Sequence, residues 1–205
     1  MNPVEASFSD VRVVVHDGVY EPAEDTLMLC EYLDIIPGET MLEIGCGCGL
    51  VSIVAARNGA AVVATDKSLA AVQNTRENAR RNALLDKIDV RQGQLFEPIR
   101  EEERFALIVI NPPYLPGTRE DPAYDNAWSG GLDGREVIDA FLAQCTNFLE
   151  NDGRVLLVQS SLSNTDKTQK ALDTLFHSST IKAEKRFFYE RLLLFEAQRP
   201  RQATY

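Results

Sequence analysis

Short apolar runs rich in β-branched residues alternate with helical patterns along most of this chain. Strands are predicted at residues 40–44, 61–65, 88–90, 106–110 and 154–159, and helices at 50–58, 68–82, 136–149 and 167–176. Such alternation predicts parallel strands joined by right-handed helical crossovers. The last two runs, 181–188 and 192–197, leave no room for a helix and should pair as an antiparallel hairpin. The sequence therefore predicts an α/β fold with a mostly parallel, seven-stranded sheet.

The bulk composition limits the class of protein. With 205 residues the chain fits a single domain spanning residues 1–205, in which 1–36 form an N-terminal extension and 37–205 the core. No export signal and no apolar run long enough to cross a bilayer is visible. The four cysteines, Cys30, Cys46, Cys48 and Cys145, suggest neither a disulfide framework nor a metal site, so we expect a reduced, cytoplasmic setting and no bound metal.

The segment Glu43-Ile-Gly-Cys-Gly-Cys-Gly49 joins a predicted strand to a predicted helix. Gly45, Gly47 and Gly49 permit a tight turn and the close approach of a ligand, and Asp66, which ends the next strand, can accept hydrogen bonds from two ribose hydroxyls. The spacing differs from the G-x-G-x-x-G of dinucleotide sites. Glu43 would also repel a pyrophosphate but attract the ammonium and sulfonium of S-adenosylmethionine. We therefore predict S-adenosylmethionine as the cofactor.

A second motif, Asn111-Pro-Pro-Tyr114, follows the predicted strand at 106–110, where ligands bind in sheets of this kind. The Asn111 side-chain carbonyl and the Pro112 backbone carbonyl can accept the two N–H bonds of one NH2 group. Tyr114 offers a flat face to a planar amide or base. Because an amide nitrogen is a poor nucleophile, holding it in line with a methyl group would supply much of the acceleration. Asn111, Pro112 and Tyr114 are therefore the candidate catalytic residues, with Asn111 also facing the cofactor.

Two further functions share these motifs. An N6-adenine or N2-guanine methyltransferase acting on DNA or RNA would use Asn111 and Tyr114 in the same way. The net charge of −10 and the lack of an insert large enough to read nucleic acid argue against it. A noncatalytic scaffold that only binds the cofactor is the other alternative, and the intact Asn111 and Tyr114 argue against that.

Four segments carry a resemblance to the HemK family of protein glutamine methyltransferases, in its short archaeal and eukaryotic form. They are VYEPAEDT at residues 19–26, EIGCGCG at 43–49, NPPY at 111–114 and AWSGGLDGREVID at 127–139. The resemblance covers residues 19–197. It implies a Rossmann-like class I methyltransferase fold with helices on both faces of the sheet, and methylation of the glutamine in the Gly-Gly-Gln motif of a peptide-chain release factor.

The resemblance also implies roles for individual residues. Thr26 should contact the methionine end of the cofactor, Glu43 and Gly45 should belong to the same pocket, and Asp66 should hold the ribose. Gln94, followed by Leu95, stands where the family usually has an acidic residue beside the adenine. Its carbonyl can still accept a hydrogen bond, although without charge assistance.

The resemblance has two consequences for the surface. Trp128, Ser129, Gly130 and Gly131 are expected either at the substrate mouth or, in the case of Trp128, simply packed against the domain. Short relatives in the family pair with a small zinc-binding activator protein that covers an exposed sheet edge. We expect that edge at the strand from Ile88 to Val90, with Leu84 and Leu85 also covered.

Overall fold

The computed structural model describes residues 4–117 and 130–200. Its strands are β1 (Val4–Phe8), β2 (Val11–Val15), β3 (Thr40–Ile44), β4 (Ala61–Asp66), β5 (Ile88–Gln92), β6 (Phe105–Ile110), β7 (Leu149–Ser160), β8 (Phe176–Arg186) and β9 (Arg191–Pro200). The helices are α1 (Glu24–Glu31), α2 (Leu50–Arg57), α3 (Leu69–Arg81), α4 (Glu136–Leu142) and α5 (Thr165–Leu175). Two short 3₁₀ helices lie at Cys145–Phe148 and Ser161–Ser163.

Seven strands form one sheet in the order β5-β4-β3-β6-β7-β9-β8. The first five of these are parallel, whereas β9 runs antiparallel to both β7 and β8. Every residue of β6 from Leu107 to Ile110 is buried, as expected for a strand that is covered on both faces. The predicted Rossmann-like sheet and its C-terminal hairpin are thus confirmed, with β5 at one edge and β8 at the other.

The structure corrects the sequence prediction in three places, one of which is the strand predicted at 181–188, since β8 spans Phe176–Arg186. The helix predicted at 136–149 ends at Leu142, because Leu149 already belongs to β7 and pairs with Phe105 of β6. Thr and Asn, which are weak helix formers, lie in the intervening turn. The strand β1 was not predicted. No helix among residues 4–117 and 130–200 is long and apolar enough to cross a membrane.

The β1–β2 hairpin is separate from the main sheet and is attached to it through α3. Asn78 accepts from the Val14 backbone N–H at 2.9 Å and donates to the Val14 carbonyl at 2.7 Å. Asn74 binds the same carbonyl and accepts from the His16 backbone N–H at 3.0 Å. Asn82, one helical turn further on, donates to the carbonyl of Arg12. These three asparagines satisfy the free edge of β2 and fix the start of the segment that leads to α1.

Candidate active site

A cavity of about 320 Å³ opens at the carboxyl ends of β3, β4 and β6. Most of the predicted site residues line it, namely Thr26, Glu43, Gly45, Gly47, Asp66, Gln94, Leu95, Asn111, Pro112 and Tyr114. The volume lies within the range of small-molecule sites. The structure therefore brings both sequence motifs to one place.

The glycine loop follows β3 and is held against the end of β4. Gly45, Gly47 and Gly49 all have positive φ, at 77°, 54° and 84°, a region that favours glycine. The N–H groups of Gly45 and Cys46 both donate to the Thr65 carbonyl, at 2.8 and 2.9 Å. Gly49 does not line the cavity, and a Cβ there would lie 2.8 Å from a Thr75 side-chain carbon. Its glycine is explained by close packing against α3.

Asp66 is oriented toward the cavity by backbone donors. One carboxylate oxygen accepts from the Gly47 N–H at 3.0 Å and the other from the Ser68 N–H at 2.8 Å. A carboxylate has about four acceptor positions, so each oxygen can accept a further bond. The arrangement suits a ligand that presents a pair of hydroxyls.

Glu43 is buried beneath the glycine loop, and the Ser52 hydroxyl donates to its carboxyl group. Burial raises the pKa of Glu43 to about 8, the Ser52 hydrogen bond opposes this, and the charge of Asp66 adds to it. The carboxyl group is therefore mostly protonated at pH 7 until a cation lies beside it. Its position fits a cationic ligand better than an anionic one.

Two further predicted contacts lie on separate segments of the wall. Leu95 adopts a left-handed conformation with φ 49°, and the Gln94 N–H donates to the Glu97 carboxylate at 3.0 Å. Strained backbone of this kind concentrates at functional sites. On the other side, the Thr26 N–H donates to the Asp25 carboxylate at 2.6 Å.

Asn111 lies directly after β6 and has an unusual feature. Its side-chain oxygen Oδ1 is buried and accepts no hydrogen bond from any residue that the structure describes. A buried acceptor without a donor costs about 1–3 kcal/mol. The two prolines that follow hold the segment rigid. Gln159 Oε1 also lacks a donor among the described residues, but only Asn111 of the two lines the cavity, where a bound molecule can supply one.

Tyr114 is anchored by a residue far away in the sequence. Its hydroxyl donates to Asp25 at 2.8 Å, and the Tyr20 hydroxyl donates to the same carboxylate at 2.8 Å. Burial first, and then the charge of Asp25, raise the pKa of both phenols well above the usual value. Both hydroxyls therefore remain protonated donors at neutral pH, and the ring of Tyr114 is held in place.

Sequence reasoning did not assign Asp25 and Tyr20 to the site. Asp25 has the position of an ordinary acidic residue in the first turn of α1, where negative charge is favoured. Both lie in the segment 19–26 that carries the family resemblance, and that was the one signal available in the sequence.

The loop of residues 130–135 packs on the Asn111–Tyr114 segment. The Gly130 N–H donates to the Leu115 carbonyl at 2.9 Å, and a Cβ at Gly130 would lie 2.6 Å from the Pro113 carbonyl oxygen. Arg135, which is buried, ties the loop to the turn after β7 by donating to the Ser163 carbonyl at 2.8 Å. Gly130 and Gly131 thus lie beside the Asn111–Tyr114 segment, whereas Trp128 and Ser129 fall outside the described residues.

The cysteines have no sign of redox or metal chemistry in the described part of the chain. All four are free and buried, and burial raises the pKa of each thiol. No group of three or more His, Cys, Asp or Glu side chains in residues 4–117 and 130–200 is arranged to hold a metal ion.

Comparison with known proteins identifies the family. The model of the methyltransferase small domain matches residues 10–189. This chain belongs to the methyltransferase small domain family. It is 37% identical over 194 residues to a putative protein N5-glutamine methyltransferase of Methanocaldococcus jannaschii, covering 92% of this chain and 96% of that protein. Methyltransferase HEMK2 of Homo sapiens is 34% identical over 76% of this chain and 78% of that protein, so the chain belongs with the HemK-type enzymes, as the sequence resemblance predicted.

Two further proteins also resemble this chain, one in sequence and one in structure. The catalytic subunit mtq2 of the eRF1 methyltransferase of Schizosaccharomyces pombe is 29% identical, over 73% of this chain and 76% of that protein. The structure of the Mtq2–Trm112 complex of E. cuniculi, named as responsible for methylation of the eRF1 translation termination factor, matches with a TM-score of 0.66. It is 23% identical and the match covers 88% of this chain and 98% of the other, which supports the fold.

Proposed function

We propose that this methyltransferase transfers the methyl group of S-adenosylmethionine to the side-chain amide nitrogen of the glutamine in the Gly-Gly-Gln motif of a peptide-chain release factor. The observation that carries the proposal is the buried Asn111 Oδ1, which lacks a donor among the described residues. A substrate NH2 group would supply that donor.

The residues at the glycine loop fit the cofactor. Asp66 presents its remaining acceptor positions to the ribose hydroxyls, and Glu43 lies where it can ionise against a cationic ligand. Thr26, Gln94 and Leu95 complete the wall. When bound, S-adenosylmethionine supplies an electrophilic methyl group on a positively charged sulfur.

The Asn111 segment fits the acceptor. Asn111 Oδ1 and the Pro112 carbonyl accept the two N–H bonds, so they orient the nitrogen and favour positive charge as it develops there. The ring of Tyr114, held by Asp25, supports the plane of the amide. The nitrogen becomes acidic once the new N–C bond forms, and its proton then passes to water, so no strong base is required in the cavity.

A glutamine is favoured over a nucleic-acid base for two reasons. The net charge of −10 opposes the binding of a phosphate backbone. Relatives named as protein N5-glutamine, release factor glutamine or eRF1 methyltransferases are 29–37% identical to this chain, whereas a tRNA1(Val) (adenine(37)-N6)-methyltransferase is 26% identical.

Transfer of label from S-adenosylmethionine tests the proposal. The chain is incubated with the release factor of its own organism and, separately, with bare DNA and RNA. We expect label in the release factor alone, and none when the glutamine of its Gly-Gly-Gln motif is replaced by alanine. The Asn111→Ala variant is the matched control, since it should bind the cofactor but transfer nothing. Label in nucleic acid and not in the release factor would disprove the proposal.

A small zinc-binding activator is the partner we propose at the β5 edge. β5 is the last strand of the sheet, and Leu85 beside it is exposed. The E. cuniculi protein of the same fold is named in a complex with a second protein. The Val90 carbonyl on this edge already accepts from the Arg76 guanidinium at 2.6 Å, and strand addition would satisfy the other outward-facing backbone groups of β5.

Hydrogen exchange tests this docking site. The outward-facing amides of Ile88–Gln92 should become protected when the activator binds, and protection should be lost when a chelator removes zinc. Unchanged exchange at β5 with protection on another surface would place the partner elsewhere.

A further inference from the structure

The turn between β8 and β9 carries three neighbouring aromatic side chains on the surface. Phe188 and Tyr189 are 90% and 85% exposed, and Phe187 is partly exposed beside them. The rings of Phe188 and Tyr189 lie edge to face with centroids 4.6 Å apart. Leu162, on the neighbouring 3₁₀ helix, is also exposed. Apolar residues exposed as a group, unlike single ones, indicate a contact surface.

Phe187–Tyr189 together with Leu162 are called the aromatic turn. Hydrogen bonds from the end of β7 hold one side of this turn near the active site. The Ser160 hydroxyl donates to the Glu190 carboxylate at 2.5 Å, and the Arg191 N–H donates to the Ser161 hydroxyl at 3.0 Å. Ser163 in the same segment lies against Gly134, which packs on the backbone of Tyr114. The turn is therefore connected to Tyr114 through two successive contacts, Ser163 with Gly134 and Gly134 with Tyr114.

On its other side the turn is tied to the start of α1. Lys185 forms an ion pair with Glu24, the neighbour of the Asp25 that holds Tyr114. The Phe187 N–H donates to the Glu190 carbonyl at 2.8 Å and closes the turn. The aromatic side chains are thus presented on a backbone that is already ordered, so little conformational entropy is lost when a partner covers them.

We propose that the aromatic turn is the docking surface for the folded methyl-acceptor protein, which contacts it through an apolar patch beside its target glutamine. The inference rests on the proposed function: a protein whose side chain reaches Asn111 covers the surface around the cavity, and the aromatic turn, although it does not line the cavity, adjoins Tyr114 through Ser163 and Gly134. Aromatic side chains carry a large part of the affinity at protein interfaces.

Charge favours a protein over a nucleic acid as the occupant. Exposed aromatic rings next to cations can also bind single-stranded nucleic acid. Here, however, Lys185 pairs with Glu24, while Arg186 and Arg191 both pair with Glu184. With Glu190 in the same turn, these three cations are matched by three carboxylates, and a surface without net positive charge contributes little to phosphate binding.

Steady-state kinetics of a double variant, Phe188→Ser with Tyr189→Ser, tests the docking surface on the full chain. We expect the KM for the intact release factor to rise about tenfold or more, the size expected when interface aromatics are removed. The kcat at saturating release factor and the dissociation constant for S-adenosylmethionine should stay unchanged. Ile36→Ser is the matched control, because Ile36 is 64% exposed and lies before β3, at the opposite end of the sheet.

Each other outcome overturns the proposal in a distinguishable way. An unchanged KM with normal labelling of the release factor removes the docking role and leaves the proposed function intact. A lower Tm or weaker cofactor binding in the double variant assigns the aromatic turn to the fold instead. A wild-type chain that labels nucleic acid, with a KM for nucleic acid that rises in the variant, overturns both the proposed function and the protein occupant.

Discussion

The loops that follow β3 and β6 end at the same cavity but are built in opposite ways. The glycine loop after β3 is satisfied by its own surroundings: Gly45 and Cys46 donate to Thr65, and Gly47 donates to Asp66. The segment after β6 leaves Asn111 Oδ1 buried without a donor among the described residues. The first loop is thus complete before a ligand binds, whereas the second is completed by one. We infer that cofactor affinity depends mainly on the loop after β3, and the rate of methyl transfer mainly on the segment after β6.

Replacement of Asn111 should produce the largest effect. In Asn111→Ala the acceptor that orients the substrate nitrogen is lost, so we expect kcat to fall at least about 100-fold, as for the loss of one stabilising group in a transition state. The dissociation constant for S-adenosylmethionine should change little. Calorimetry and single-turnover assays on the same preparation measure both quantities, and a variant with a normal rate at saturating cofactor but much weaker cofactor binding would reverse the assignment of the two loops.

Asp66→Ala should have the opposite effect: it should weaken cofactor binding and leave kcat nearly unchanged. Loss of a hydrogen bond to a charged group costs about 1.5–3 kcal/mol, which corresponds to a dissociation constant for S-adenosylmethionine about 10–100-fold higher. The kcat at saturating cofactor should remain close to that of the wild type. An unchanged dissociation constant would exclude Asp66 from cofactor binding.

The Asp25–Tyr114 hydrogen bond shows that the loop after β6, unlike the loop after β3, depends on a residue of α1. We expect Asp25→Asn and Tyr114→Phe each to lower kcat about tenfold, within the range of coupled active-site pairs. The double variant should be no worse than the poorer single variant. Rate losses that simply multiply in the double variant would show that the two residues act independently.

The smallest expected effect is a pH dependence of the affinity for S-adenosylmethionine, caused by Glu43 beneath the β3 loop. Its pKa is raised by burial to about 8 in the free protein, and a cationic ligand favours the ionised form, so binding releases a proton. Affinity for S-adenosylmethionine should therefore rise about fivefold from pH 7 to pH 8 and level off above pH 9. The ligand's own amino group titrates in this range, so the quantity to measure is the ratio of wild-type affinity to that of Glu43→Gln. A ratio that is flat with pH would show that Glu43 is already ionised.

The sequence was most informative where a function depends on neighbouring residues. The alternation of strands and helices was enough to predict the sheet and its terminal hairpin, and the two loops were located because each motif lies within seven residues or fewer. Gly49 shows the limit of this reasoning, since it shares the motif of Gly45 and Gly47 but is glycine because of Thr75 on α3.

Features that depend on distant residues could not be predicted in this way. The hydrogen bond from Tyr114 to Asp25 joins residues 89 positions apart. The row of Asn74, Asn78 and Asn82 resembles an ordinary solvated helix face until β2 is placed against it. The aromatic turn was also missed, because Phe187 and Phe188 continue an apolar pattern that fits a strand.

The asparagine row has a consequence for the mobility of the N-terminal segment. An isolated two-stranded hairpin is marginally stable in water, but the amides of Val14 and His16 donate to side chains of α3. These amides should therefore exchange with solvent as slowly as those of the domain interior, although they face no neighbouring strand of the main sheet. Gly18 and Tyr20 follow shortly after and line the cavity, so we expect this side of the cavity to keep its position when a ligand binds.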